Sequence, residues 1–154
     1  QGFKFRFTSY GVGPDAEKFL SAMRAALGDR FHHGGVVSGT AKVRALSEAD
    51  ILLMPSKFEG LPLALLEAMA AGCVPVVSDR GSVATAIEDG RTGFLIEPVD
   101  LMQILGKLKF LLSEGETGWN GYRRNAVHTV RARFDIDGYM EKLNDLYSKS
   151  LIRK

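Results

Sequence analysis

Two short runs without a polar residue, Ile51-Leu52-Leu53-Met54 and Val74-Pro75-Val76-Val77, constrain this chain more than any other feature. A half-buried strand alternates apolar with polar residues, and an amphipathic helix repeats its apolar residues every third or fourth position. These runs do neither. Their shortness suits strands of a parallel sheet that is covered on both faces. A helical stretch, Leu63 to Ala71, lies between them and is closed by Gly72. Strand, helix, strand in that order makes a crossover unit, which joins parallel strands.

The same alternation extends in both directions. FKFRFT, residues 3–8, alternates aromatic and polar residues as a half-buried strand, and SYGVGP follows as a turn. DAEKFLSAMRAAL places Ala16, Phe19, Leu20, Met23 and Leu27 on one helical face, with Gly28 as its stop. RFHH and GFLIE read as further short strands, and ILLM and VPVV within DILLMP and CVPVVS suit central strands. Further helices are expected at Thr40 to Ala49 and, shorter, at Val83 to Glu88. After Glu97 the pattern is helical throughout. Asp100 caps LMQILGKLKFLL, a second helix spans Thr117 to Arg133, and Asp135 opens a last one through DGYMEKLNDLYSK. The expected fold is α/β: a doubly wound, Rossmann-like parallel sheet with C-terminal helices, in a single domain covering 1–154.

Composition removes several classes of function. With 45% hydrophobic and 25% charged residues the chain has the makeup of a soluble globular domain, which argues against disorder. A formal net charge of +2 supplies no field for nucleic acid. Cys73, the single cysteine, can form neither an intrachain disulfide nor a multi-thiolate metal site; it suits a reducing, cytoplasmic setting and reads as a small core residue. His32 and His33 are neighbours on a strand, point to opposite faces, and cannot chelate one metal together. Packing or surface positions are expected for both, and no metal site is expected. No apolar run reaches membrane-spanning length. Gln1 leads directly into strand-like residues, as expected of a piece of something longer.

The chemistry of such sheets sits where strands run into helix N-termini. DILLMP, then SKFEGLP, then LALLEAMAAG makes one such junction. Gly60 allows close backbone approach, Pro62 suits the first helical position, and free N–H groups there attract an anion such as phosphate. Glu59 and Glu67, with seven residues between them, would repel that phosphate. They make better sense as acceptors for neutral hydroxyls on whatever the phosphate carries. A sugar nucleotide has hydroxyls at both ends and a diphosphate between.

FEGLPLALLEAMAAGCVPVVS resembles the E-x7-E region of the retaining GT-B glycosyltransferases of the group 1, or GT4-like, family. The resemblance covers nearly the whole chain, since SYGVGP, HHGGV, ADILLMPS and EDGRTGFLIEP are similar to successive segments of the C-terminal, donor-binding domain of those enzymes. It implies that Glu59 binds donor sugar hydroxyls as the catalytic-site carboxylate. The N–H groups of Gly60, Leu61 and Leu63 would approach the diphosphate, and Glu67 would hold the ribose diol. It further implies that the loop of Val36 and Val37 lies along the base, with Lys42 close to it. The reaction implied is hexosyl transfer from a nucleotide sugar with retained configuration, without a cofactor, a metal or a protein nucleophile. The acceptor implied is a sugar, a lipid-linked sugar or a polysaccharide, bound by an N-terminal domain.

Some of the family pattern is missing. The first strand of such a domain, with its phosphate-clamping Arg and Lys, does not precede FKFRFT, and the acceptor domain is absent. The isolated chain is therefore expected to have little or no transferase activity. The missing strand would be central, so five strands must close a gap or borrow a neighbour. Ala84 and Thr85 stand where many members have a Pro-Glu pair.

Other readings compete. GVGPDA, 11–16, fits the dinucleotide fingerprint of an NAD-binding oxidoreductase, but RFHHGG lacks the acidic residue that should close the next strand, and Pro14 sits inside the turn. A non-catalytic sugar-nucleotide-binding module is a further alternative. The basic run from Arg123 and Arg124 through His128 and Arg131 to Arg133 reads as a solvated helix face; the resemblance leaves open a weak peripheral contact at the inner face of a membrane. Trp119 is expected to pack its helix onto the sheet or toward a partner domain.

Overall fold

The computed structural model describes residues 2–151. The chain divides into two compact units, Gln1–Ala45 and Leu46–Lys154. In the first, β1 (Phe7–Ser9) leads to α1 (Ala16–Leu27), a 3-10 turn at Gly28–Arg30, β2 (Phe31–His33) and the start of α2 (Gly39–Ser47). The two strands pair in parallel, Phe7 opposite Phe31 and Ser9 opposite His33. Ala16, Leu20, Met23 and Leu27 make the half-buried face of α1, while Phe19, more exposed, meets the Phe31 ring edge-on at 6.2 Å.

The strand expected over residues 3–8 is shorter and later, at Phe7–Ser9. Alternation alone does not make a strand, because a ladder needs a partner. β2 supplies only three residues, and upstream of Phe7 the Phe5 ring lies 5.1 Å from the Arg30 guanidinium.

The second unit holds β3 (Ile51–Met54), α3 (Leu63–Ala70), β4 (Val74–Ser78), a 3-10 turn at Val83–Thr85, β5 (Phe94–Ile96), α4 (Leu101–Arg133) and α5 (Ile136–Leu151). β4 is central and parallel to both neighbours, with Ile51 opposite Val74 and Val76 opposite Phe94. Among the described residues these three strands make one sheet in the order β3-β4-β5.

Both faces of the three-stranded sheet are covered. Leu52, Met54, Val77 and Leu95 face a core made with Leu65 and Met69 of α3, Val83, Ala86 and Ile87 of the loop, and Ala126 of α4. Ile51, Leu53, Val74, Val76, Phe94 and Ile96 face a second core built with Ile104, Leu111 and Trp119 of α4. Alternate residues of each strand thus enter different cores, which is why the strands read as unbroken apolar runs. Pro75, in the middle strand, donates no hydrogen bond. The β5 ladder begins one residue later, at Val76, so no bond is lost there.

The helix expected at Val83 to Glu88 is only the 3-10 turn. The Glu88 N–H donates instead to the Thr92 hydroxyl at 2.8 Å, which turns the chain toward β5. Asp100 caps α4 as expected, its Oδ1 accepting from the Met102 and Gln103 N–H groups at 2.9 and 3.0 Å. α4 breaks at Gly115, with φ 65° and ψ −176°, a conformation that side chains disfavour. Its two halves correspond to the two helices expected there. The break lets Trp119 turn back on the first half, where its indole Nε1 donates to the Leu111 carbonyl at 2.7 Å. That carbonyl is in the last turn before the break, where carbonyls lose their helical partners. Asp135 opens α5, its Oδ2 accepting from the Gly138 N–H at 2.9 Å. Among the described residues no helix is long and apolar enough to cross a membrane.

Cys73 is fully buried, its Sγ 3.1 Å from the Leu46 carbonyl and 3.3 Å from that of Ala49. Burial pushes the thiol up to about 11; the nearby Arg123 opposes this and Asp50 adds to it. The thiol is therefore expected to resist alkylation by iodoacetamide at neutral pH and to react once the fold is lost in urea. Equal rates in both states would show that it is not enclosed. Because the folded pKa is raised, the protein stays protonated where the unfolded chain ionises. Stability from this group is complete below the ordinary thiol value of 9.0 and is lost as pH rises toward 11.

Candidate functional site

The loop from Pro55 to Pro62 leaves the carboxyl end of β3 and enters α3. The helix starts at Leu63, where it is expected, and Pro62, φ −70° and ψ 126°, is its N-cap and not its first helical residue. Proline still suits the place, since its fixed φ matches and a cap needs no N–H. Pro62 offers no capping side chain, and the first backbone bond closes from the Leu65 N–H to the Pro62 carbonyl at 3.0 Å. The N–H groups of Gly60, Leu61 and Leu63 donate to no acceptor among the described residues. Donors in this state, at the positive end of a helix, favour negative charge.

Glu59, Gly60, Leu61, Leu63 and Glu67 all lie on this one loop and helix. Glu59 is half-buried, Leu61 packs against the core of Leu65 and Met69, and Leu63 is exposed. Glu67 is exposed while its neighbours Ala68 and Met69 are buried, which puts it on the outward side of α3. The helix thus buries its apolar face and turns the carboxylate to solvent. Phe58, next to Glu59, is 90% exposed, the barest large apolar side chain of the loop.

The turn after β4 holds the loop in place. The Ser82 N–H donates to the Gly60 carbonyl at 3.0 Å. Gly81, at φ +59°, comes so close that an added Cβ would sit 2.0 Å from the Glu59 carbonyl oxygen and 2.7 Å from that of Gly60. Sequence reading missed both contacts. The only available signal was a glycine in a loop, and nothing local says what it must approach. Ala84 and Thr85 sit in the 3-10 turn that follows and are exposed, the Thr85 hydroxyl donating to the Ser82 carbonyl at 2.6 Å.

Val36, Val37 and Lys42 belong to the first unit. Val36 is 70% exposed in the loop after β2, Val37 is half-buried beside it, and Lys42 is half-buried in α2. The loop start is pinned to β1 by the Gly34 N–H on the Ser9 carbonyl at 2.9 Å and by Ser9 Oγ against His33 Nδ1 at 2.9 Å. His33 is therefore a packing residue with a satisfied polar contact, and His32 lies at the surface.

The site is thus a helix start with open donors at the carboxyl end of a parallel strand, with Glu59 in the loop before it and Glu67 within α3. The family model described as glycosyl transferases group 1 matches residues 1–114, and the chain belongs to that family. The sulfoquinovosyl transferase SQD2 of Arabidopsis thaliana is 34% identical over 118 residues, 73% of this chain and 22% of that protein. The C-terminal domain of the group 1 family protein LpcC from Francisella tularensis superposes with a TM-score of 0.68 and 28% identity, covering 80% of this chain and 64% of that one. Anabaena HepE, solved with UDP-glucose, superposes with a TM-score of 0.82 at 19% identity over 94% of this chain and 41% of that one. The fold is that of the GT-B glycosyltransferases. The chain spans about a fifth of the length of the Arabidopsis enzyme.

Proposed function

We propose that this chain is the donor-binding part of a retaining glycosyltransferase of GT4 type. The observation that carries this reading is the set of unengaged N–H groups at Gly60, Leu61 and Leu63, flanked by Glu59 and Glu67. In this reading the N–H groups and the α3 dipole bind the diphosphate of a nucleotide sugar. As the glycosidic bond to that diphosphate breaks, negative charge grows on its oxygens, and donors already in position stabilise it without reorganising. Glu59 accepts hydrogen bonds from sugar hydroxyls and orients the anomeric carbon; Glu67 holds the ribose diol. The acceptor enters from parts of the enzyme beyond this chain, on the face where the leaving diphosphate can take its proton. The free thiol of Cys73 suits work in the cytoplasm.

The reading is tested by calorimetric titration of the chain, and of the full-length enzyme containing it, with UDP, GDP and ADP and their sugar conjugates. One nucleotide is expected to bind selectively. Glu67→Ala should weaken it about ten- to a hundredfold, the loss of hydrogen bonds to a charged acceptor. Binding of NAD with none of the nucleoside diphosphates, or silence in both forms of the protein, would sink the proposal.

A further inference from the structure

Arg123, Arg124, Val127, His128 and Arg131 line one hollow of about 390 Å³ on the second half of α4, a volume in the range of small-molecule sites. Its lining is of two kinds. Val127 and the methylene stems of the arginines are apolar, while the guanidinium heads are hydrogen-bond donors only. Between Thr117 and Phe134 the chain has no carboxylate to neutralise them. The acids nearby are engaged elsewhere: Asp50 pairs with Arg123, and Glu88 pairs with Arg91. Among the described residues Arg124, His128 and Arg131 have no ion-pair partner, and the buried Nε of Arg123 has no acceptor.

The hollow is distinct from the Glu59 loop. Arg123 reaches Asp50, just before β3, and Asn125 Nδ2 donates to the carbonyl of Arg91, just before β5. Both anchors lie at the amino ends of strands, whereas the Glu59 loop leaves a carboxyl end.

We propose that this hollow is a second ligand site, which takes a small phosphate ester or pyrophosphate without an aromatic ring. Positions 124, 128 and 131 are spaced by four and three residues and share a helix face, so their heads can converge on one anion. Arginine forks meet phosphate oxygens in pairs of hydrogen bonds, and a dianion offsets the mutual repulsion of unpaired cations. A nucleobase has nothing to stack on, because the indole of Trp119 is buried with the Arg123 guanidinium over it at 5.3 Å. A lipid-binding cluster has about four to eight basic residues, more than Arg124, His128 and Arg131 supply. The proposal is independent of the donor site.

The test is titration of the chain with glucose 6-phosphate, pyrophosphate, glucose and ADP, followed by backbone amide NMR, which separates this hollow from the Glu59 loop. Glucose 6-phosphate or pyrophosphate should shift amides in the range 123–131, and the stronger of the two tells whether the site takes an ester or a diphosphate. Glucose should shift none of them. Arg124→Gln and Arg131→Gln should each weaken this binding about tenfold, and the triple variant with His128→Gln should abolish it. Lys18→Gln on α1 removes a charge elsewhere and should leave it unchanged. Silence at 123–131 toward both phosphates, full binding by the triple variant, or tighter binding of ADP at these residues would overturn the proposal. So would binding of phosphatidylglycerol vesicles through these residues that neither free phosphate displaces.

Discussion

Trp119→Ala should destabilise the second unit by about 3–5 kcal/mol, among the largest losses available to a single substitution in this chain. The indole is 7% exposed and shares a core with Val74, Val76, Phe94, Ile96, Ile104 and Leu111, so its removal leaves a cavity between α4 and the sheet. It also removes the donor that satisfies the Leu111 carbonyl at the break in α4. Trp119→Phe separates the two effects. It keeps most of the packing and loses the hydrogen bond, which should cost about 1 kcal/mol for the bond plus a small void. Urea denaturation followed by circular dichroism gives both values. A loss below about 1 kcal/mol for Trp119→Ala would mean that the core closes over the gap and that the indole does not fasten the two halves of α4 to the sheet.

Gly81→Ala should loosen the Glu59 loop and weaken nucleotide binding at least tenfold on the proposed function. The new Cβ would meet two backbone carbonyls, at 2.0 and 2.7 Å, and a backbone atom cannot swing aside as a side chain can. The left-handed φ of +59° adds about 1 kcal/mol of strain for any residue with a Cβ. Either the turn after β4 or the loop before α3 must shift, and both outcomes displace the N–H groups of Gly60 and Leu61. Ser82→Ala is the matched control. It keeps the backbone bond to the Gly60 carbonyl and should bind as the parent does. Titration of the nucleotide that the parent chain selects, with a urea curve alongside, measures both consequences. Unchanged affinity and stability in Gly81→Ala would mean that the loop is not held by this contact.

Much of this arrangement is legible along the chain because it depends on neighbours in sequence. The apolar runs of β3 and β4, the Asp100 and Asp135 caps, and the helix stop at Gly28 are local features, and each appears where periodicity puts it. The carboxylates of the candidate site are legible for the same reason: Glu59 and Glu67 flank one helix start, so their relation needs no distant residue. The roles of Val36, Val37 and Lys42 rest on the family resemblance. The structure gives only their places, in the loop after β2 and in α2.

Residues distant in sequence decide the remainder. Phe3 to Arg6 alternates as well as any strand, yet a ladder depends on a partner, and β2 offers three residues only. The helix expected at Val83 ends early because Thr92 takes the Glu88 N–H. Gly81 is one glycine among 17 until folding brings it against the Glu59 carbonyl. By itself the sequence determined the order of elements, the parallel sense of the strands and the helix start with its carboxylates, since each follows from spacing along one chain. The indole bond across the break in α4 and the close approach that clasps the site loop were decided by tertiary structure alone. Each depends on which surfaces meet, and periodicity carries no record of that.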